Sequence, residues 1–481
     1  LHTIEVGGSL AALAEYYELG QKGHEVQDAL GKHRIDFTAQ ELEAYGRYCV
    51  KDAELTYKLF EQLVVGFPVS ELKLIDLTIR MFSEPVIELD TKVLKKHLAG
   101  VVATKKALMN KTRHKKEQLM SNEKFARILQ EHKVQPPTKV SPTTGKETYA
   151  FAKTDEGFKA LQAHDNPDVQ ALVAARLGVK STLEETRTER FISIADRGLL
   201  PIPLRYYAAH TGRWGGDDKI NMQNLPRGSM LKKALCAPKG HKFIDCDLSQ
   251  IEARTLAWLA EQEDLVAAFD SGDDVYRIMA ATIYGKPEEE VTKEERFVGK
   301  QTILGAGYGM GHVKFKNQLE AFGVELSLEE CNRIIQVYRT TYSNIPSLWR
   351  KAGKCLTHIQ NNSFTLLGRK ELLIVEGEKG IRLPNGLCLR YPNLRLTTDE
   401  EGAQELIYDV RRGRTVTTTR IYGGKVVENV CQALARIIIG DQLVRVSNRY
   451  KVAMTVHDAI GCIVPEENAK EGLAYVEKCM R

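Results

Sequence analysis

The sequence predicts an α+β fold in which helices dominate and the strands concentrate toward the carboxyl-terminal end. Helical patterns fill most of the chain up to Asn362, and shorter strand-like runs follow. Of the 481 residues, 43% are hydrophobic and 27% are charged, which indicates a globular protein of roughly three domain-sized units. No run approaches the ~18–20 apolar residues of a membrane helix, so no membrane partner is expected.

Each element rests on a local signal. Helices are predicted from apolar spacing and, at Thr38 and Thr292, from a Glu three residues later that completes a capping box. Loops are predicted where Pro, Gly, Thr or Asn cluster, and strands where short apolar runs end at polar turns. The predicted elements are, in chain order, a helix at Thr38–Leu63, a basic helical stretch from Asp90 to about Leu129, a loop or hairpin at Val134–Tyr149, further helices to about Ile194, a polar stretch at Leu204–Leu231, a strand at Lys242–Cys246, helices at Ser249–Phe269 and Thr292–Tyr308, strand-like runs that include Cys388–Leu394, a helix at about Val426–Tyr450, and strands at Val452–Val456 and Ala459–Val464.

The charge distribution says more than the net charge of +5. Nine Lys and Arg residues and no acid lie between Thr91 and Lys116. A solvated helix face and an electrostatic contact with nucleic-acid phosphates both account for this stretch. The nine cysteines form no CxxC pair, which is typical of reduced intracellular thiols and argues against a structural zinc site.

Two separated motifs each place an aspartate at the end of a predicted strand. The segment DCDLSQIEAR carries Asp247 at the end of the strand before a helix, and VHDAIG carries His457 and Asp458 at a hairpin turn. If the two carboxylates share a site, they repel by several kcal/mol at an effective dielectric near 20. Two Mg²⁺ ions remove that conflict and support in-line phosphoryl transfer. Taken singly, each aspartate is an ordinary turn residue, and Glu252 is equally explained as the capping-box partner of Ser249.

A third motif, ERFVGKQTILGAGYGMG, changes the balance between these interpretations. Arg296, Lys300, Leu304 and Tyr308 are spaced by four and share one stripe of a helix. Two cations before an aliphatic and an aromatic residue do not suit a core face. A solvated face does not suit the segment either, because three glycines (305, 307 and 309) weaken the helix by roughly 1 kcal/mol each. The stripe predicts a helix that grips a triphosphate while presenting apolar groups to base and sugar.

Together, these motifs resemble those of the A-family DNA polymerases. DLSQIEAR is similar to the family's motif A, R-x3-K-x7-YG to motif B and VHDA to motif C, in the family order. Further similar segments are LGVKST at Leu177–Thr182, HTGRWGG and NMQNLPR within His210–Arg227, ENVCQALAR at Glu428–Arg436, and AYGRYCVKDAELTYKLF at Ala44–Phe60, which resembles the last exonuclease motif. The resemblance spans nearly the whole chain.

The resemblance implies a right-hand polymerase fold with an antiparallel palm and helical fingers and thumb, preceded by the remnant of a 3′→5′ exonuclease-like domain. The implied divisions are an exonuclease-like remnant at 1–66, linker and thumb at 67–190, the first part of the palm at 191–260, fingers at 261–370, and a shortened second part of the palm at 371–481. The variant residues resemble a bacteriophage replicative enzyme, and we expect the chain to be truncated at both ends and to act in the cytoplasm, the host's if the protein is viral.

The resemblance also implies roles for individual residues. These are catalysis by Asp247, Asp458 and Lys300; two Mg²⁺ ions, with Mn²⁺ able to replace them, on Asp247, Asp458 and the Leu248 carbonyl; dNTP binding by Arg296, Lys300, Leu304, Tyr308, Glu252 and Tyr276; primer–template DNA binding by Arg213, Gln223, Asn224, His457 and Gln432; and an exonuclease remnant at Tyr48 and Asp52. Glu252 would act as a steric gate against the 2′-hydroxyl of ribonucleotides. A replisome or processivity protein is a further expected partner.

Several positions depart from the family pattern. Ala459 stands where a Glu is common, so a third carboxylate is missing, and Tyr276 replaces a His that contacts phosphate. Leu248 stands where the family usually has Tyr. Leu304 stands where the family usually has an aromatic residue, so sugar and dideoxynucleotide discrimination are expected to differ from the family pattern. The upstream D-x-E exonuclease motif is not in this sequence, so this chain is not expected to proofread. Two alternatives remain: a single-subunit RNA polymerase, and a decayed polymerase homologue that binds DNA without catalysis.

Overall fold

The computed structural model describes residues 6–141, 145–226, 228–399, 402–412 and 415–481. Leu1, Arg227 and part of the predicted loop at Val134–Tyr149 therefore lie outside the described residues. Among those described, no helix is both long enough and apolar enough to cross a bilayer. Helices dominate and most strands follow residue 362, as the sequence predicts.

The first half of the chain is almost entirely helical. Its elements are α1 (Leu10–Tyr16), α2 (Glu25–Asp28), α3 (Ala39–Val64), α4 (Val69–Ser83), β1 (Glu88–Leu89), α5 (Thr91–Thr112), α6 (Lys116–Met120), α7 (Asn122–Glu131), β2 (Thr138–Val140), β3 (Glu147–Tyr149), α8 (Glu156–Gln162), α9 (Pro167–Lys180) and α10 (Leu183–Ala195). The basic stretch from Asp90 is three helices instead of one pattern, because Arg113 takes a left-handed conformation (φ 55°) after α5 and Ser121 is extended between α6 and α7. A separate apolar core joins α6 to α9, and β2 pairs with β3 as a hairpin.

The second half alternates short strands with a large helical block. Its elements are β4 (Leu204–Arg205), β5 (Gly215–Gly216), α11 (Met230–Lys233), β6 (Leu235–Cys236), β7 (His241–Asp247), α12 (Ile251–Leu259), α13 (Glu263–Ser271), α14 (Val275–Tyr284), α15 (Lys293–Ala306), α16 (His312–Ala321), α17 (Leu328–Thr341), α18 (Asn344–Gln360), β8 (Phe364–Leu367), β9 (Leu373–Glu376), β10 (Gly380–Arg382), β11 (Cys388–Leu389), β12 (Arg395–Thr398), β13 (Gln404–Arg412), β14 (Thr415–Ile421), α19 (Gly423–Ser447), β15 (Lys451–Val456), β16 (Ala459–Pro465) and α20 (Ala469–Met480). Single 3₁₀ turns lie at Arg34–Asp36, Met222–Asn224, Glu288–Glu290, Arg369–Glu371 and Glu466–Asn468.

Two more sequence predictions are wrong in their bounds. The helix predicted at Ser249–Phe269 is two helices, because Glu261 adopts φ 56° and the Asn344 side chain donates a hydrogen bond (2.7 Å) to its carbonyl. The strand predicted at Cys388–Leu394 covers only Cys388–Leu389, and Asn393 turns the chain with φ 51°. Apolar periodicity continues through both breaks, so periodicity alone does not locate them.

The sheet that matters for the site is antiparallel, three-stranded and ordered β15-β16-β7. Its inner face packs on the second half of α19 and on α20, in a core that includes Ile244, Ile460 and Leu443. The first half of α19 instead packs against α12 and α14 to α18 in a second core. The helix α19 therefore joins the sheet to the helical block, and the predicted motifs lie where the sheet and the block meet.

Candidate active site

The two predicted aspartates lie side by side at one end of the three-stranded sheet. β7 ends at Asp247, and the hairpin between β15 and β16 turns at His457 and Asp458. Asp247 is the register partner of Ala459, and the Leu248 amide donates a hydrogen bond of 3.0 Å to the Asp458 carbonyl. The convergence predicted from two distant strand ends is therefore present.

The Asp247 carboxylate is partly buried and lies close to other carboxylates. Burial raises its pKa, and the neighbouring carboxylates of Asp458 and Asp245 raise it further. Within the described ranges, no three or more His, Cys, Asp or Glu side chains form a metal-holding group. Two carboxylates and a nearby carbonyl are nevertheless a suitable set for Mg²⁺, which commonly takes one or two protein carboxylates and completes its shell with phosphates and water.

Asp245 is a third carboxylate near the site, and it was not predicted. It lies two residues before Asp247 in β7, so the two side chains share the sheet face opposite the buried Ile244. Burial raises the pKa of Asp245, and Lys232 on α11 opposes that shift. Strand alternation could have indicated this carboxylate, since the predicted strand fixes which residues share a face.

The third motif forms α15, and its capping box is confirmed. The Thr292 hydroxyl accepts from the Glu295 amide, and Glu295 accepts from the Thr292 amide at 2.8 Å. The buried side of this helix comprises Val298, Gly299, Gln301, Thr302, Ile303, Gly305 and Ala306. Arg296, Lys300 and Leu304 lie on the other side, with Leu304 exposed and the two cations half-buried, and are available to a ligand. Tyr308 does not continue this stripe on the helix, because α15 ends at Ala306 and Tyr308, which is half-buried, lies in the turn that follows.

Tyr276 and Asp274 support the cationic half of the stripe from α14. Arg296 donates to the Asp274 carboxylate at 2.6 Å, and its guanidinium lies 5.4 Å from the centre of the Tyr276 ring. The Lys300 ammonium lies 6.0 Å from the same ring. Gly299 permits this approach, because a Cβ there would lie 2.2 Å from the Tyr276 carbonyl oxygen.

Glu252 does not cap its helix, so the capping interpretation is wrong. Gln250, with φ 57°, precedes α12, and no side chain caps the helix start. The Glu252 carboxylate instead accepts a hydrogen bond from Arg213 at 3.2 Å. Burial raises the pKa of Glu252, whereas Arg213 lowers it and Asp458 raises it. Glu252 therefore faces the site.

Tyr308 connects the helical block to the strand-end motifs. Its hydroxyl donates to the Glu252 carbonyl at 3.3 Å, and burial raises its pKa well above the ordinary value. Close packing here depends on glycine: at Gly424 a Cβ would lie 2.6 Å from the Tyr308 carbonyl oxygen. Glu252 thus lies between Tyr308 and Arg213, and all three motifs meet in one site.

The residues assigned to primer–template binding gather around the same end of the sheet. His457 lies 3.2 Å from the Gln223 carbonyl oxygen, and the Gln223 amide group donates to the Trp214 carbonyl at 3.1 Å. Gln432 on α19 accepts from the Thr211 hydroxyl at 3.5 Å. Asn224 is exposed beside Gln223.

A cleft beside Tyr308 was not predicted. It has a volume of about 440 Å³ and is lined by Gly309, Arg339, Pro346, Trp349, Arg350, Tyr422, Gly423 and Gly424. The Arg339 guanidinium lies 5.7 Å from the Trp349 ring, whose nitrogen donates to the Gly307 carbonyl at 2.9 Å. Aromatic and cationic groups side by side suit single-stranded nucleic acid.

Tyr48 and Asp52 belong to α3 and form a separate cluster. Lys22 donates hydrogen bonds to both the Asp52 carboxylate and the Tyr48 hydroxyl, the latter at 2.5 Å. The Lys22 hydrogen bond lowers the pKa of Asp52. In this structure an ammonium group therefore neutralises the carboxylate.

Fold and site together define a polymerase palm with its fingers helices. A family model described as DNA polymerase family A matches residues 90–383. Because this match covers more than half of the sequence, the chain belongs to DNA polymerase family A.

Individual relatives agree with this assignment. The chain is 30% identical over 327 residues to the DNA polymerase of Bacillus phage SP02, which covers 59% of this chain and 49% of that protein. It is 26% identical over 346 residues to DNA polymerase I of Pseudomonas aeruginosa. This match covers 68% of this chain and 37% of that protein. The chain thus spans about half of the first relative and less of the second.

A solved structure has the same fold. It is the POL domain of Pol1 from M. smegmatis in complex with DNA primer–template and dNTP, which matches with a TM-score of 0.63 and 18% identity over 98% of this chain and 75% of that chain. This likeness supports the right-hand polymerase fold predicted from the sequence.

Proposed function

We propose that this chain is a template-directed DNA polymerase that adds dNTPs to a primer 3′ end by two-metal phosphoryl transfer. The proposal rests above all on the adjacency of Asp247 and Asp458 beside the stripe of α15. Membership of DNA polymerase family A supports the same reaction.

Asp247, Asp458 and the Leu248 carbonyl would hold two Mg²⁺ ions, with Mn²⁺ able to replace them. The raised pKa of Asp247 supports this assignment, because carboxylates that repel one another in a partly buried place are stabilised by a cation between them. When bound, such ions activate the primer hydroxyl and neutralise charge on the leaving pyrophosphate.

Lys300 and Arg296 would bind the incoming triphosphate. The Arg296 Nε atom donates its hydrogen bond to Asp274. The two terminal nitrogens of the Arg296 guanidinium group therefore stay available for phosphate oxygens. Lys300 is half-buried on the open side of α15 and would neutralise charge on the pyrophosphate as a catalytic residue. Tyr276 would contact the phosphates, while Leu304 and Tyr308 would face sugar and base.

Glu252 would act as the gate against ribonucleotides. Its carboxylate is held by Arg213, and its carbonyl accepts from Tyr308, so both ends of the residue are fixed. A fixed carboxylate excludes an added hydroxyl better than a mobile one, because the side chain cannot move away without losing its partner.

Primer–template DNA would contact three surfaces. Arg213, Gln223, Asn224, Gln432 and His457 would bind the primer end and the adjacent minor groove, as their clustering at one end of the sheet supports. The cleft beside Tyr308 would receive the unpaired template.

Of the nine basic residues from Lys92 to Lys116, eight are exposed, and only Lys105 pairs with an acid, Glu185, among the described residues. These charges favour a thumb that follows duplex phosphates.

The divisions between palm, fingers and thumb are part of this proposal. They are an exonuclease-like remnant at 1–66, linker and thumb at 67–190, palm at 191–260 and 371–481, and fingers at 261–370. The Lys22 contact with Asp52 supports the prediction that this chain does not proofread, because the carboxylate that would serve exonuclease chemistry is hydrogen-bonded to the Lys22 ammonium group.

Primer extension with Mg²⁺ tests the proposed function. We expect the parent chain to extend a recessed primer with dNTPs and Asp458→Asn to lose nearly all extension. Asp441→Asn, which changes an exposed acid on α19, is the matched control and should retain parental activity. Equal extension by Asp458→Asn and the parent would contradict the metal role.

The same assay separates the alternatives. A clear preference for rNTPs over dNTPs would support a single-subunit RNA polymerase instead. DNA binding without extension by the parent, with either Mg²⁺ or Mn²⁺, would support the non-catalytic alternative.

A further inference from the structure

A buried ion pair lies beneath the loop that carries Arg213. Glu71 on α4 and Arg436 on α19 are 2% and 3% exposed, and Arg436 Nη1 lies 2.5 Å from Glu71 Oε1. Burial alone would raise the pKa of Glu71, but the hydrogen bond from Arg436 lowers it. Buried ion pairs commonly stabilise a fold no better than apolar residues of the same volume. Stability alone therefore does not account for this ion pair.

The remaining contacts of Arg436 are directed to one loop. Its Nε donates to the Gly212 carbonyl at 3.0 Å, and its guanidinium lies 4.8 Å from the Trp214 ring and 5.2 Å from the Tyr206 ring. Glu71 in turn accepts a hydrogen bond from the Tyr206 hydroxyl. Arg436 therefore holds the loop on both sides of residue 213.

The loop has further restraints. The Trp214 ring nitrogen donates to the Thr78 hydroxyl at 2.9 Å, and Gly212 adopts φ +79°, where a Cβ would lie 2.7 Å from the Tyr207 ring. Arg213 is held between these two fixed neighbours, and its side chain reaches Glu252 at 3.2 Å. An unbroken series of contacts thus connects Arg436 to Glu252.

We propose that Arg436 is a positioning residue, which fixes Arg213 and through it Glu252, and so sets both primer-end binding and sugar selection. This inference rests on the proposed function of Arg213 and Glu252. Arg436 itself is too deeply buried to touch substrate, so its effect would pass entirely through the Gly212–Trp214 loop.

Arg436→Lys tests the proposal, because a lysine keeps the positive charge beside Glu71 but lacks the planar fork that serves Glu71 and Gly212 together. Binding of a fluorescent recessed primer–template is measured by anisotropy for the parent, Arg436→Lys, Arg213→Ala and the double variant. We expect each single variant to bind about tenfold more weakly, since the loss of one hydrogen bond from a charged group has an effect of about this size or more. The double variant should bind no more weakly than Arg213→Ala.

Additive losses in the double variant would overturn the proposal, because independent effects add. Val476→Ala, a buried palm variant outside the loop, controls for general destabilisation and should leave binding unchanged. Thr78→Val, which removes the hydrogen bond to Trp214, provides a second test if Arg436→Lys does not fold. Parental binding by Thr78→Val would then overturn the proposal.

Sugar selection provides a second measurement. The rNTP-to-dNTP ratio of kcat/KM should rise about tenfold in Arg436→Lys and stay at the parental value in Val476→Ala. An unchanged ratio in Arg436→Lys would overturn the part of the proposal that concerns Glu252. Failure of the parent chain to extend any primer would instead contradict the proposed function, and the binding measurements would still decide the role of Arg436.

Discussion

Glu252 has its carboxylate directed at Arg213 and not at the start of its own helix. The S-x-x-E pattern fits a capping box, yet the left-handed Gln250 moves the helix start and leaves Ser249 in the preceding turn. The pattern specifies a possible hydrogen bond, whereas the backbone conformation decides whether it forms. The gate role of Glu252 therefore stays a prediction that does not depend on a capping contact.

Glu252→Ala should admit ribonucleotides about tenfold more readily, because removal of a positioned carboxylate opens space for a 2′-hydroxyl. The rNTP-to-dNTP ratio of kcat/KM measures this effect. The thermal midpoint should change little, since Glu252 caps no helix. Glu252→Gln keeps the volume and should remain closer to the parent. A ratio for Glu252→Ala equal to that of the parent would contradict the gate.

Leu304 is the exposed member of the stripe, with 39% of its surface accessible. A larger side chain therefore fits there without repacking the core. Leu304→Tyr should increase incorporation of dideoxynucleotides several-fold, as judged from a termination ladder, while extension with dNTPs alone stays near the parental rate. An unchanged ladder would contradict the assignment of Leu304 to the sugar.

At the scale of elements, the junction between α18 and α19 depends on two glycines. A Cβ at Gly423 would lie 1.9 Å from the Trp349 carbonyl oxygen, and one at Gly424 would lie 2.6 Å from that of Tyr308. Both contacts involve backbone atoms, which cannot rotate away. α18 and the turn after α15 therefore reach the start of α19 only because these positions lack a side chain.

Gly423→Ala should lower the free energy of unfolding by about 1–3 kcal/mol, as expected for overpacking, and should weaken extension. Gly353→Ala is the matched control, because a Cβ there has its nearest neighbours at 3.9 Å and alanine favours the helix by up to about 1 kcal/mol. Urea unfolding measures both. Equal effects of the two substitutions would contradict the close approach.

Elements with strong local signals were predictable from the sequence, whereas features that long-range contacts decide were not. The capping boxes at Thr38 and Thr292 indicated correct helix starts, and the short apolar runs that end beside Asp247 and Asp458 indicated the strand ends. The break at Glu261 depends on Asn344, which is remote in sequence. No local pattern contains that information.

At the scale of the whole molecule, α19 belongs to two cores. Its first half packs with the helices that carry the stripe, and its second half packs beneath the sheet that carries the aspartates. The convergence of the motifs was predictable from their resemblance to a family. The cleft beside Tyr308 and the contacts of Arg436 were not, because each joins segments that are far apart in the chain.

The basic surface of α5 should contribute to the affinity of the whole molecule for duplex DNA. Lys95, Lys96 and Lys106 are exposed, whereas Lys105 pairs with Glu185. If the exposed lysines bind phosphates, replacing all three by Ala should reduce the log–log salt slope of duplex binding by about 0.9 for each phosphate that is no longer neutralised. Anisotropy titrations between about 50 and 200 mM salt measure this slope. Lys105→Ala should leave it unchanged, since that charge is already neutralised by an acid. A parental slope in the triple variant would mean that this face is merely solvated and that the thumb binds DNA elsewhere.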